Sequence, residues 1–340
     1  MHSAARFNNL LHDQPTDRRV FTLVLSLYGA RLTACPLDQH YTDPVAYARG
    51  QSAVRETFQP DVLFAPVSVA LIGAAFGGKL RYLKSNAPTI AQPAIESAGD
   101  WQNLHIPDPE RQPHLVFVRE ALRRMVAEHR DQVPVAALFL TPVDIPMLVM
   151  GMDAWMDAVL FDRQAARRIA RGLIPFFLSV ANGYFDDGAA YLVLPCAFAS
   201  PSIVPRTIVE QFSRPIMAEA LAQLRGPVAL HHLDPPLLPH LDLLAGLPAV
   251  GGFSLASADN LSQARALLGR RPILLGGPEV RLLRQGSTGE VEAACRAVLE
   301  DRRDDPRFIL CNSGADLWLD TPPENIHAVR RAVESWASER

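Results

Sequence analysis

From residue 190 onward the chain repeats one unit: a short apolar run, a break, then a helical stretch. The runs are Ala190-Tyr-Leu-Val-Leu194, Pro227-Val-Ala-Leu-His231, Ala249-Val-Gly-Gly-Phe-Ser-Leu255, Pro272-Ile-Leu-Leu-Gly276 and Arg307-Phe-Ile-Leu-Cys311. Short continuous apolar runs suit strands covered on both faces, and strict alternation with helices implies parallel strands. Earlier runs at Phe21–Tyr28, Asp61–Pro66 and Pro134–Leu140 extend the series to about eight strands. That number and spacing predict a single (βα)8 TIM barrel over residues 20–338, preceded by a polar arm, residues 1–19, packed outside it. No strand is followed by G-x-G-x-x-G opening a helix, which argues against an open dinucleotide-binding sheet. Between the strands, Asp43 and Pro44 read as the start of a helix, and residues 163–185 read as one long helix that Gly188 ends.

Composition narrows the function classes. The chain is 49% hydrophobic and 20% charged with net charge -3, so nothing electrostatic favours nucleic acid as a partner. The N-terminus is polar and no apolar run is long enough to span a bilayer. The four cysteines, at 35, 196, 295 and 311, form no CxxC pair, so a cytoplasmic protein with reduced thiols is expected.

In a barrel of this kind the chemistry sits at the C-terminal ends of the strands. There the sequence places Cys196, His231, His232, Asp234, Cys311 and Asn312, with Asp144, Glu279 and Cys35 a little beyond their strands. Cys295 falls in the middle of a predicted helix and reads as core. Two thiolates and an imidazole suit zinc with one open position, so Cys196, His231 and Cys311 are a candidate metal set. His231 and Asp234 are candidate catalytic groups, and a cysteine nucleophile with a histidine base is an alternative. The plainer alternative is a satisfied core histidine and a helix-capping Asp234 before Pro235. Similarly, Gly276-Gly277 either holds a phosphate or simply makes a turn. Adjacent strand residues face opposite sides, so only one of the two histidines is expected to point inward.

The stretch Gly314-Ala-Asp-Leu-Trp-Leu-Asp-Thr-Pro-Pro-Glu-Asn-Ile326 resembles the closing motif of the uroporphyrinogen decarboxylase superfamily. Asp61-Val-Leu-Phe64 resembles its second-strand segment. Ser202-Ile-Val-Pro205 with Phe212 and Pro215, Pro227-Val-Ala-Leu-His231, and Leu274-Leu-Gly-Gly277 with Leu282, Leu283 and Gly286 resemble segments of its corrinoid-dependent methyltransferase branch. The resemblance covers most of residues 20–338 and implies a (βα)8 barrel. It singles out His231 as the inward histidine, matching the branch's zinc-binding His-x-Cys, while Leu233 and Ala315 stand where that branch has its two cysteines. Pro66 stands where decarboxylases carry an aspartate, and Tyr28-Gly-Ala-Arg-Leu32 brings one arginine to a segment that is arginine-rich in them.

The resemblance therefore implies a methyltransferase-like enzyme moving a methyl group between a corrinoid (methylcobalamin) on a partner protein and a small-molecule acceptor or donor. Zinc is the metal it implies. Two alternatives accompany it: a uroporphyrinogen decarboxylase-like enzyme on a carboxylated tetrapyrrole, and a non-catalytic member that binds a tetrapyrrole or small ligand.

Overall fold

A computed structural model describes residues 1–233 and 235–339. Its centre is a seven-stranded parallel sheet in the order β1-β4-β5-β6-β7-β8-β9. The strands are β1 (Leu63–Phe64), β4 (Val135–Leu138), β5 (Tyr191–Pro195), β6 (Val228–His231), β7 (Val250–Ser254), β8 (Ile273–Gly276) and β9 (Phe308–Leu310). Between β1 and β4 the chain makes an antiparallel hairpin of β2 (Lys79–Arg81) and β3 (Thr89–Gln92). Helices separate the sheet strands and cover the outer face.

Alternation along each strand divides the core into two layers. Phe64, Ala136, Tyr191, Ala229, Ile273, Leu275, Ile309 and Cys311 share one cluster. Leu63, Leu192, Leu194, Val228, Leu230, Leu274, Phe308 and Leu310 belong to the other, against the helices. Edge strands β1 and β9 both contribute to the first cluster, so the sheet curls around it as an inner layer. Each large apolar side chain buried this way contributes about 1.5–3 kcal/mol.

The expected first strand forms no ladder. Phe21 makes one isolated parallel bridge to Leu310. Its backbone is nevertheless held on both sides: Thr22 N–H donates to Leu310 O (2.9 Å) and Asp61 N–H to Phe21 O (2.9 Å). Side chains take the remaining donors. Phe21 N–H donates to Asp61 Oδ2 (3.0 Å) and Val24 N–H to Asn312 Oδ1 (2.9 Å). Carboxylate and amide oxygens thus replace strand carbonyls, and regular pairing is lost.

The N-terminal segment is not an arm lying outside. Ser3–Leu11 is a helix, and its Phe7 and Leu10 join the inner layer. Arg6 Nη1 donates to Asp61 Oδ1 (2.6 Å), and Arg18 Nη1 to Asp61 Oδ2 (2.6 Å).

Helix ends follow local chemistry. Asp43 caps Pro44–Phe58 by accepting from Val45 N–H, as expected. The long helix expected over 163–185 is two helices, Arg163–Gly172 and Ile174–Asp186. Pro175 has no N–H to continue the first. Gly188, at φ 98°, ends the second in a conformation that glycine adopts freely. After β6 the chain forms a 3₁₀ turn, Leu238–His240, followed by a short helix, Leu241–Leu244.

Candidate functional site

At the C-terminal end of β6, Ala229 lies in the inner layer and Leu230 in the outer, so alternation turns His231 inward. The ladder sets it beside Pro195 of β5 and Ser254 of β7. Across the inner layer, β9 delivers Cys311 with the Ser254 hydroxyl near its thiol. Val24, Val67 and Val193 pack against the same layer.

The strand stops at His231 because the chain turns back on its side chain. Leu233 N–H donates to His231 Nδ1 (2.9 Å), and Leu233 adopts φ 69°, a left-handed conformation uncommon for leucine. With Nδ1 accepting, the ring's proton sits on Nε2. The same turn corrects the expectation that only one histidine points inward. The His231 and His232 rings stack with centroids 4.7 Å apart at 17°. Gly314, at φ 102°, donates its N–H to His232 Nε2 (3.4 Å).

Burial disfavours charge throughout this region. It lowers His231 to about 3, with the neighbouring His232 ring adding to the effect and the Gly314 backbone opposing it. It pushes Cys311 up to about 12, with Ser254 pulling the other way. The imidazole is therefore neutral and the thiol protonated near pH 7.

The three residues expected to hold zinc do not meet as a ligand set. Cys196 lies in the outer layer and Cys311 in the inner. The Cys196 thiol donates to the backbone carbonyl of His231 (3.3 Å), not to its ring. Among the described residues no three His, Cys, Asp or Glu side chains are grouped to hold a metal ion. The segments carrying the family's ligand positions do approach, through Leu233 on His231 and Gly314 on His232, but bring apolar Leu233 and Ala315. Zinc does not fit this set, and Asp234 lies outside the described residues.

The other expected residues separate by role. Asp144 is fully buried, accepts from Phe198 N–H (2.9 Å) and from the Thr141 hydroxyl, and holds the loop after β5. Burial raises it to about 7 against those hydrogen bonds. Asn312 ties the closing loop, accepting from Val24 N–H and donating to Gly314 O and Ala315 O. Glu279 accepts from the exposed side of Ser257 (2.7 Å). Cys295 is core, as expected. Cys35 borders a cleft of 750 Å³ that also carries Arg31, Lys84, Arg284 and Trp318. Two of those cations are engaged: Arg31 Nη1 donates to Leu319 O and Thr321 O, and Arg284 pairs with Asp320 while lying 4.6 Å from the Trp318 ring centroid.

Sequence reasoning missed Asp316. Its Oδ2 accepts from Leu27 N–H (2.9 Å), while Oδ1 is buried without a hydrogen-bond partner. Burial holds this carboxyl well above its usual range. Nearby, Tyr47 donates to Ser26 Oγ (2.9 Å), which also meets Tyr41 Oη (3.0 Å). The signal was an aspartate two residues after the strand-end glycine, inside a motif that reads first as a family signature.

Two solved structures have the same fold. A methyltransferase from Methanosarcina mazei superposes with TM-score 0.86 at 17% identity, covering 99% of each chain. A B12-independent methionine synthase from Shewanella sp. W3-18-1 gives 0.58 at 12% identity, covering 94% of this chain and 97% of its own. Among curated proteins none matches. The family described as uroporphyrinogen decarboxylase (URO-D) matches residues 2–336, nearly the whole chain, and the protein belongs to that family.

Proposed function

We propose that the protein transfers a methyl group between a corrinoid carried on a partner protein and a small acceptor or donor, at the C-terminal end of β6 and β9. The observation that carries this is an imidazole set beside Ser254 and Cys311 at an inner layer lined by valines, where burial disfavours charge. A corrinoid would supply an electrophilic methyl group, and the protein's own part would be to seat and orient the second substrate in an apolar mouth. Carboxylated tetrapyrroles call for cations instead. Arg31 and Arg284 are already engaged, and Pro66 follows β1 where a carboxylate would be needed.

Both imidazoles accept backbone N–H groups, from Leu233 and Gly314. Either ring could take an acceptor's proton at that nitrogen only after its turn opens. This observation also favours a second reading, in which the family member binds its ligand without transforming it.

The curled sheet fits a closed (βα)8 barrel in which residues 20–25 serve as an irregular eighth stave, and 20–338 form one domain. No helix among the described residues is long and apolar enough to cross a membrane. A cytoplasmic location is proposed with this, the four thiols being free and buried.

Incubation with methylcobalamin and a panel of small thiols, followed by its visible spectrum, tests the proposal. Demethylation that falls at least tenfold in His231→Gln is expected. Turnover of uroporphyrinogen would replace the proposal with decarboxylation. An unchanged cobalamin spectrum with every acceptor, alongside measurable ligand binding, would leave the binding reading.

A further inference from the structure

Beside the N-terminal end of β1 the chain gathers more guanidinium groups than carboxylates to meet them. A cavity of 480 Å³ there is bordered by Arg6, Arg18, Arg55 and Arg330, with Asp17 and Glu334 as its acidic lining. Asp61 is fully buried behind them. Each carboxylate is already taken. Arg6 holds Asp17 through Nε (2.6 Å) and Nη2 (2.7 Å), and Asp61 through Nη1 (2.6 Å). Arg18 holds Asp61 through Nη1 (2.6 Å). Arg330 donates Nε to Glu334 (2.7 Å), one turn along the closing helix Pro323–Ser338.

Arg55 is left over. The helix Pro44–Phe58 brings it to the cavity from its last turn. Among the described residues it makes no hydrogen bond or ion pair. Its Nε is enclosed, so contact with anything in the cavity falls to its two Nη groups. Burial pulls its pKa below the ordinary arginine value, Asp61 opposes this, and Arg18, Arg6 and Arg330 add to it. A guanidinium does not give up its proton in a protein, so the repulsion stays unless an anion offsets it. The helix Ser3–Leu11 also begins here, with Ser3 in the lining, and a helix N-terminus favours negative charge.

We propose that this cavity binds an oxyanion of the phosphate class, free or as the head of a small monoester, between the Nη groups of Arg55 and Arg330. Four guanidinium groups against three carboxylates leave positive charge in excess. Phosphate oxygens point tetrahedrally and meet cations on two sides of a cavity, whereas the two oxygens of a carboxylate face one way. The volume falls within the roughly 300–1,000 Å³ of small-molecule pockets, which leaves room for the organic part of a monoester. The site lies at the other end of the strands from His231 and is independent of the methyl-transfer proposal.

Isothermal titration of the full chain with inorganic phosphate, glycerol 3-phosphate and acetate tests it, at constant ionic strength so that screening is the same in each. Phosphate is expected to fill one site per chain, at least about tenfold more tightly than acetate. Glycerol 3-phosphate binding at least as tightly as phosphate identifies a monoester as the occupant, and weaker binding identifies the free ion. Arg55→Gln breaks no pair, so it is expected to unfold at no lower urea concentration than the wild type while binding phosphate about tenfold more weakly or worse. The proposal is overturned if millimolar phosphate gives no saturable one-site binding, or if acetate binds as tightly. It is equally overturned if folded Arg55→Gln keeps the wild-type affinity. Arg330→Gln, at a half-exposed position, makes the same comparison should Arg55→Gln fail to fold.

Discussion

Asp61 and His231 are both buried ionisable residues at strand ends, yet their surroundings are opposite. Asp61, before β1, meets two guanidinium groups and the Phe21 N–H. His231, at the end of β6, meets backbone groups, a second imidazole and a largely apolar inner layer, with no charged side chain among its described partners. The first environment sets two cations against one carboxylate, whereas the second disfavours charge by burial. Pairing fixes the Ser3–Leu11 helix and the irregular first segment to the sheet, which is a structural use. Neutral, desolvated groups gathered at the other end are what a site needs when it must handle an apolar or uncharged reacting group.

The comparison breaks most visibly at Asp61. Asp61→Ala removes the carboxylate that Arg6 and Arg18 share and leaves the buried Arg6 with Asp17 as its remaining carboxylate partner. A loss of about 3 kcal/mol is expected, at the low end for broken buried pairs because Asp17 stays in place. Urea unfolding at pH 7 measures it, and a loss under about 1 kcal/mol would show that the pairing does not organise that end.

The acid limb of stability tests the other end. His231 titrates at about 3 when folded, against 6.5 ordinarily. Its folded pKa is depressed, so its contribution is present above pH 6.5 and is lost as pH falls toward 3. The slope approaches about 1.4 kcal/mol per pH unit. His231→Gln should remove that loss, gaining about 2 kcal/mol on the wild type between pH 7 and 5. Chemical denaturation across that range would refute it if the two curves stay parallel.

Asp144 runs the opposite way, with a folded value of about 7 raised from 3.8. Its stabilisation is complete below pH 3.8 and is lost as pH rises through 7. Asp144→Asn keeps an acceptor for Phe198 N–H. It should match the wild type near pH 4 and exceed it by about 4 kcal/mol at pH 8. Between pH 4 and 6.5 the His231 and Asp144 contributions oppose one another. A flat wild-type curve there would hide both, and only the paired variants expose them. Equal stability of Asp144→Asn and wild type at pH 8 would count against the buried-carboxyl account.

Much of the fold was legible because its signal is local. The runs at 190–194, 227–231, 272–276 and 307–311 each carry β6-like apolar continuity, and the strands fall within them apart from Pro195, one residue past the first run. The first segment misled because the bonds that replace its ladder come from Asp61 and Asn312, 40 and 288 residues away. No run of hydrophobicity encodes such a partner. The site was half legible for a similar reason. Strand-end position located His231 and Cys311, but the metal set ignored face. Cys196 follows the inward-facing Pro195 register by one residue and so belongs to the helix side. The stacking of His232 on His231 depends on a turn at Leu233 that a leucine does not announce.

That turn offers the finest test of how the β6 end is built. Leu233 sits at φ 69° and is partly buried against the outer layer. A residue with a Cβ pays about 1–2 kcal/mol for the left-handed conformation, and glycine does not. Glycine carries its own entropic cost of about 0.4–1 kcal/mol relative to alanine at ordinary positions. Leu233→Ala and Leu233→Gly lose nearly the same packing, so their difference isolates the backbone. At an ordinary position the alanine variant would be the more stable. Here the order should reverse, with Leu233→Gly ahead by about 0.5–1 kcal/mol. Denaturation midpoints of the two variants at one pH give the sign directly. An alanine variant that is the more stable would mean that the turn is not held left-handed in solution, and that the Leu233 N–H does not fix the His231 ring.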